Sequence, residues 1–192
     1  MAERVGVTTM KGNPLTLIGN EVKVGDNAPD VTLVANDLSE VKISSFKGKK
    51  VIISAVPSLD TPVCDLETKR FNQEAAKLGD VVILTVSKDH PFAQKRWCAG
   101  AGITAVKTLS DYRSNFGETY GVLIKGLQLL ARAIFVLDET GQVIYTQLVK
   151  EVASEPNYEE VLKAVKGDAC GCGHGHRAIA NIISPDNRSY RG

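Results

Sequence analysis

Two runs of aliphatic residues, KKVIISAV (Lys49–Val56) and DVVILTVS (Asp80–Ser87), limit what this chain can fold into more than any other feature. Neither alternates apolar with polar residues, so each reads as a strand buried on both faces. Between them, Thr61 to Leu78 carries a helical pattern, and Gly79 closes it as a C-cap. Alternation of this kind implies an α/β architecture, a central mixed sheet with helices on both faces. The rest of the chain extends the pattern. Asp89 to Cys98 reads as a second helix, with Asp89 as N-cap and Pro91 in the first turn. AVKTLSD is a strand, followed by a short helix near Arg113–Tyr120. Ala131–Leu137 and Val143–Leu148 form a hairpin through DETGQ, and Tyr158–Val165 is a closing helix. At the start, Val5–Thr9 and Leu15–Ile18 flank the turn signal Lys11-Gly12-Asn13-Pro14, an N-terminal β-hairpin. VTLVAND and VKIS form a further strand pair.

Strand, helix, strand, helix, two antiparallel strands and a helix is the order of a thioredoxin-like core. Residues 1–166 form one domain of this kind, and residues 167–192 a Cys/His/Gly-rich tail. The chain of 192 residues is long enough to bury a core without staples. Its 23 basic and 22 acidic residues nearly cancel, which removes any electrostatic reason to expect nucleic acid or an anionic membrane as partner. No apolar run is long enough to span a bilayer, and no signal peptide is read at Met1-Ala2-Glu3-Arg4, so the expected compartment is the cytoplasm. In that reducing compartment, four cysteines suggest catalysis or metal binding rather than a disulfide scaffold.

The stretch VPSLDTPVC joins the first buried strand to its helix. Pro57 ends the strand. Thr61 stands at the N-cap and Pro62 at N1, where a missing N–H costs nothing. Cys64 then falls at N3, among unsatisfied backbone N–H groups at the positive end of the helix dipole, which favours thiolate over thiol. Asp60 and Asp65 oppose that effect, so a fixed cation is needed. Arg132, within the otherwise apolar LLARAIFVLD, is one source. On the residues alone both assignments have rivals. Cys64 is either a reactive thiol or a small buried hydrophobe. Arg132 is either a paired buried cation or an edge-strand residue facing water.

A family resemblance sharpens this. PSLDTPVC fits the peroxiredoxin pattern Pro-x-x-x-Thr-x-x-Cys through Pro57, Thr61 and Cys64. VPSLDTPVCDLETKRFNQEA, PFAQKRWCAGAGI and LLARAIFVLDE together resemble the thiol peroxidases, bacterial atypical two-cysteine peroxiredoxins, over roughly Gly6 to Lys166. The resemblance implies a thioredoxin-like fold and a peroxidase that needs no cofactor. It implies that Cys64 is the peroxidatic cysteine, that Thr61 and Arg132 activate it and the peroxide, and that Pro57 shields the pocket. Cys98, by itself more at home in a core, becomes the resolving cysteine, which condenses with the Cys64 sulfenic acid within one chain. The two cysteines lie on different helices, so that step requires local unwinding, which Gly100 and Gly102 ease. The resemblance also implies alkyl or lipid-like hydroperoxides and hydrogen peroxide as substrates, thioredoxin as reductant, and a homodimer.

The tract CGCGHGH departs from the family pattern. Cys170, Cys172, His174 and His176 offer two thiols and two imidazoles, a donor set suited to Zn or Cu(I), at a spacing tighter than that of structural zinc sites. The tract also reads as a strained disulfide relaying electrons to Cys98, or as a tail whose thiols do nothing specific. Two rivals to a peroxidase remain at this level. One is a metal-binding or redox-sensing protein with the tail as its site. The other is a thioredoxin-like oxidoreductase, but that chemistry needs Cys-x-x-Cys, and residues 61–64 read TPVC.

Overall fold

The structure is a computed structural model and describes residues 1–167. The two aliphatic runs are strands β5 (Lys50–Ala55) and β6 (Val81–Ser87), joined by helix α1 (Pro62–Leu78). They pair in parallel, residue for residue from Lys50↔Val81 to Ala55↔Val86. Helix α2 (Pro91–Ala101) then leads to β7 (Lys107–Ser110), which extends the parallel set. The hairpin β10 (Ala133–Leu137) and β11 (Val143–Leu148) adds antiparallel to β5, and β3 (Thr32–Val34) with β4 (Glu40–Lys42) adds antiparallel beyond β7. The result is a seven-stranded mixed sheet in the order β11-β10-β5-β6-β7-β3-β4.

Side chains alternate across this sheet and define its two faces. Ile52, Ile83, Ile134 and Val136 meet Phe71 of α1 and Val161 and Val165 of helix α4 (Tyr158–Lys166). Two successive right-handed crossovers, β5 to β6 and β6 to β7, put α1 and α2 on that same face. Val51, Ile53, Leu84, Val86 and Phe135 face the other way, onto Phe116 of the one-turn helix α3 (Phe116–Thr119) and Leu17, Leu123 and Leu130 of a second sheet. That second sheet has the order β1-β2-β8-β9. The N-terminal hairpin, β1 (Glu3–Met10) and β2 (Asn13–Ile18), is therefore part of the fold's cover, paired through β2 with β8 (Leu123–Ile124) and then β9 (Leu129–Leu130). β8 and β9 are two residues each, too short to show a period in sequence.

The hairpin is also tied to the segment after β11. Thr9 N–H donates to the Lys150 carbonyl at 2.7 Å, and Val152 N–H donates to the Thr9 carbonyl at 2.8 Å. Glu151 closes the hairpin turn by accepting from the Lys11 N–H (2.7 Å), the Gly12 N–H (3.1 Å) and the Thr9 hydroxyl (2.6 Å). Those contacts hold the Glu151 carboxyl down to about 2, the Thr9 hydroxyl first, then the Gly12 and Lys11 amides. No helix among the described residues is long and apolar enough to cross a membrane.

Candidate active site

β5 leaves the sheet at its C-terminal end, the end where parallel α/β sheets place their sites. Buried Pro57 stops the ladder, because it has no N–H to continue it. The chain turns through Ser58–Asp60 and enters α1 with Thr61 as an extended N-cap (φ −111°, ψ 148°) and Pro62 at N1. Cys64 is thus at N3, as the sequence implied. Thr61 caps by conformation alone. Its hydroxyl donates back to the Ser58 carbonyl at 2.8 Å rather than accepting from an α1 amide.

The buried face of α1 is Cys64, Glu67, Thr68 and Phe71, an i, i+3, i+4, i+7 stripe. Cys64 has 0% exposure and packs with Val56, Leu59 and the flank of Trp97. Arg132, 1% exposed, comes to meet it from just before β10. Each of its three nitrogens has a partner: Nη2 lies 3.2 Å from the Cys64 sulfur, Nη1 donates to Glu67 Oε2 at 2.5 Å, and Nε donates to the Val152 carbonyl at 2.9 Å. Glu67 is fixed in turn by Ser54 of β5, whose hydroxyl donates to Oε1 at 2.8 Å. The solvent-facing alternative for Arg132 is excluded by this burial.

Electrostatics favour a charged guanidinium. Burial works against it, but the Glu67 carboxylate and the Cys64 sulfur outweigh burial and hold Arg132 above its usual range. Burial pushes the Glu67 carboxyl up, against the pull of Arg132 and Ser54. The acidic neighbours in sequence are diverted. Asp60 is exposed. Asp65 accepts from Lys69 Nζ at 2.8 Å and from the Trp97 indole N–H at 2.9 Å. The sulfur stands at the N-terminal end of α1 with a pre-oriented guanidinium 3.2 Å away. Such a donor can stabilise an oxygen on which negative charge develops.

Cys98 is half-buried on α2, where its sulfur lies 3.3 Å from the Thr108 hydroxyl of β7. It therefore faces the sheet, while its neighbour Trp97 faces α1. Both thiols are free. Asp89 is not the N-cap of α2; His90 is. The Asp89 carboxylate is taken instead by the Ser58 hydroxyl (2.7 Å), the Leu59 N–H (2.8 Å) and the Ser87 hydroxyl (2.7 Å), so it fastens the loop ahead of Cys64 to the end of β6.

Of the residues singled out from sequence, Thr61, Cys64 and Pro57 lie on one turn and Arg132 joins them, whereas Cys98 stands apart. Cys170, Cys172, His174 and His176 lie outside the described residues, and among the described residues no group of three or more His, Cys, Asp or Glu is placed to hold a metal. Sequence reasoning missed Glu67 and Ser54, and it gave Asp89 a capping role in place of its role in fastening the loop. Glu67 carried a signal: three residues after Cys64, it had to share the buried stripe of α1.

Comparison with known proteins identifies the relatives of this chain. The Redoxin family model matches residues 23–162. The thiol peroxidase of Bacillus subtilis (strain 168) is 57% identical over 159 residues, which is 82% of this chain and 95% of that protein. The chain belongs to the thiol peroxidases of the redoxin family. A peroxiredoxin-like protein from Aquifex aeolicus, 47% identical, superimposes with a TM-score of 0.80 over 85% of this chain and 98% of that one. A thiol peroxidase from Chromobacterium violaceum, at 21% identity, shares the fold with a TM-score of 0.77 over 83% of this chain and 95% of that one. Thiol peroxidases reduce peroxides with protein thiols and need no cofactor for it. The start of α1 brings a buried thiol, a guanidinium and a carboxylate into one cluster.

Proposed function

We propose that Cys64 is the peroxidatic nucleophile of this thiol-dependent peroxidase and Cys98 its resolving partner. The observation that carries the reading is the Arg132 guanidinium 3.2 Å from a fully buried sulfur at the N-terminus of α1. The Cys64 thiolate attacks the terminal oxygen of a hydroperoxide. An S–O bond forms, the O–O bond breaks, and the other oxygen takes a proton and leaves as alcohol or water, with Cys64 as sulfenic acid. Arg132, the Cys64 N–H and the Thr61 hydroxyl, turned from Ser58 towards the substrate, stabilise the two oxygens during transfer. Pro57 shields the pocket from water.

Cys98 then displaces the sulfenic hydroxyl as water, and thioredoxin reduces the resulting disulfide. The substrates are alkyl or lipid-like hydroperoxides and hydrogen peroxide, and the protein works as a cytoplasmic homodimer. Residues 1–166 are the catalytic domain. The tail is an appendage whose Cys170, Cys172, His174 and His176 bind Zn or Cu(I) apart from the peroxidase chemistry. A chain ending at Lys166, compared by equilibrium dialysis, tests that last point; unchanged metal content removes it.

The main test is a stopped-flow peroxide assay with thioredoxin, thioredoxin reductase and NADPH. Cys64→Ser abolishes turnover. Cys98→Ser reduces one equivalent of peroxide and then stops cycling with thioredoxin. A Cys98→Ser variant that cycles at the wild-type rate refutes the resolving role.

A further inference from the structure

Helix α2 is held unequally along its length. Its first turns are anchored: Pro91 and Gln94 are buried, and Gln94 Nε2 donates to the Ser87 hydroxyl (2.9 Å) and the Leu109 carbonyl (3.0 Å). Asp89, just ahead, is bound to Ser58, Leu59 and Ser87. The last turn has much less. Lys95, Arg96, Ala99 and Gly100 are exposed, Gly100 weakens the helix from within, and Gly102 ends it in the left-handed region (φ +68°). Cys98 adds a 3.3 Å sulfur contact to Thr108. Beyond the helix, Asn72 Oδ1 accepts from the Thr104, Ala105 and Val106 N–H groups and holds the next loop, so within the turn itself the remaining side-chain tether is Trp97. Its ring packs on the Val56, Leu59 and Cys64 cluster, and its indole N–H donates to Asp65 Oδ1 at 2.9 Å, across a seam that otherwise opens into a cavity of about 620 Å³.

Trp97 therefore does two things at once. It covers the side of the Cys64 pocket that faces α2, and it fixes the turn of α2 that carries Cys98. Cys98 faces β7, so it reaches Cys64 only when this turn rotates and Trp97 leaves its seat. From this geometry, and resting on the assignment of Cys64 and Cys98 as the reacting pair, we infer that Trp97 is a positioning residue, a latch whose catch is the Asp65 carboxylate, and that its release sets how fast the disulfide forms.

The latch decides between two fates of the Cys64 sulfenic acid. On release, the Cys98 sulfur attacks the sulfenic sulfur; the S–S bond forms, the S–O bond breaks, and hydroxyl leaves with the Cys98 proton as water. While the latch holds, a second hydroperoxide passes its terminal oxygen to the same sulfur, which gives sulfinic acid and an alcohol. A tighter latch favours the second route. The hinge lies between Gln94 and Trp97, because anchoring contacts end at the one and the tether begins at the other.

The test uses the full chain, tert-butyl hydroperoxide, and rapid-quench mass analysis of the Cys64 sulfenic acid, disulfide and sulfinic acid. Trp97→Phe keeps an aromatic ring in the seat and loses the N–H. Asp65→Ala loses the acceptor. Both form the disulfide about tenfold faster than wild type, the factor equivalent to ~1.4 kcal/mol. At equal peroxide excess both also accumulate about tenfold less sulfinic acid. Asp65→Asn keeps an oxygen that accepts from the indole and returns both readouts towards wild type, a rescue that general damage to α1 does not give. Lys69→Ala, which removes the other partner of Asp65, matches wild type. In wild type the emission of Trp97, the single tryptophan of the chain, changes at the rate of disulfide formation. If wild type forms the Cys64–Cys98 disulfide and Trp97→Phe and Asp65→Ala form it no faster, the latch is wrong while the assignment of the pair stands. If wild type forms no such disulfide, the pair is wrong and the latch falls with it.

Discussion

Replacing Arg132 with Met separates what this residue does for the fold from what it does for the chemistry. The guanidinium is 1% exposed and bonds Glu67, the Val152 carbonyl and the Cys64 sulfur together. Its removal leaves the Glu67 carboxylate buried without its counter-charge, which costs about 3–5 kcal/mol. For a domain of this size each kcal/mol lowers Tm by about 2–4 °C, so Arg132→Met melts roughly 6–20 °C below wild type. Burial already pushes the Glu67 carboxyl up, and without Arg132 it protonates more readily still. Adding Glu67→Gln makes that neutrality permanent. Gln keeps the shape, and the Ser54 hydroxyl can turn to accept from its amide. Neutralising both partners of a buried pair is often nearly neutral or stabilising, so the double variant recovers most of the melting temperature.

The chemistry does not recover with it. Both variants lose the charge-assisted bond to the Cys64 sulfur, about 1.5–3 kcal/mol, so single-turnover consumption of hydroperoxide slows by about 10- to 150-fold. Calorimetry gives the first quantity and stopped-flow the second. A double variant that regains stability and peroxide rate together would show that Arg132 acts only as a structural support, and the catalytic reasoning would fail.

Two further predictions concern the frame. Gly19 has φ +106°, and a Cβ there would sit 2.0 Å from the Glu118 carbonyl oxygen, which is backbone and cannot swing aside. Gly19→Ala destabilises by about 2–3 kcal/mol, seen as a Tm roughly 4–12 °C lower; an unchanged melt contradicts this close approach of β2 to α3. Glu151 has its carboxyl held down to about 2, below its ordinary 4.5, so the stability it contributes is fully present above about pH 4.5 and is lost as pH falls through 2. The stability gap between wild type and Glu151→Gln, followed by urea melts across pH, should therefore close over that window; a gap that stays constant rules out the hairpin clasp.

Much of the core was legible because its signals are local. The aliphatic runs of β5 and β6 have no other reading, and Thr61-Pro62 with Cys64 two residues on is a helix start written in three residues. What was not legible depends on partners far along the chain. Asp89 has the chemistry of an N-cap, but Ser58 and Leu59, about thirty residues away, take its carboxylate with two hydrogen bonds and nearby Ser87 adds a third, which leaves His90 to cap. The N-terminal hairpin showed its turn but not its partners, since β8 and β9 are two residues each. For Arg132, an apolar context told of strand but not of depth. The missing information lay in Glu67, a charge on the inward face of α1 that requires a counter-charge, and it becomes readable only once the buried stripe of that helix is known.

Oxygen from a hydroperoxide arrives at Cys64 and leaves as water when Cys98 attacks. Peptide-level mass analysis of the full chain after one equivalent of tert-butyl hydroperoxide tests it directly. Wild type loses two hydrogens and gains a cross-link between the Cys64 and Cys98 peptides. Cys98→Ser gains one oxygen, confined to the Cys64 peptide. Oxygen found on another cysteine first, or a cross-link that does not include Cys64, would contradict it.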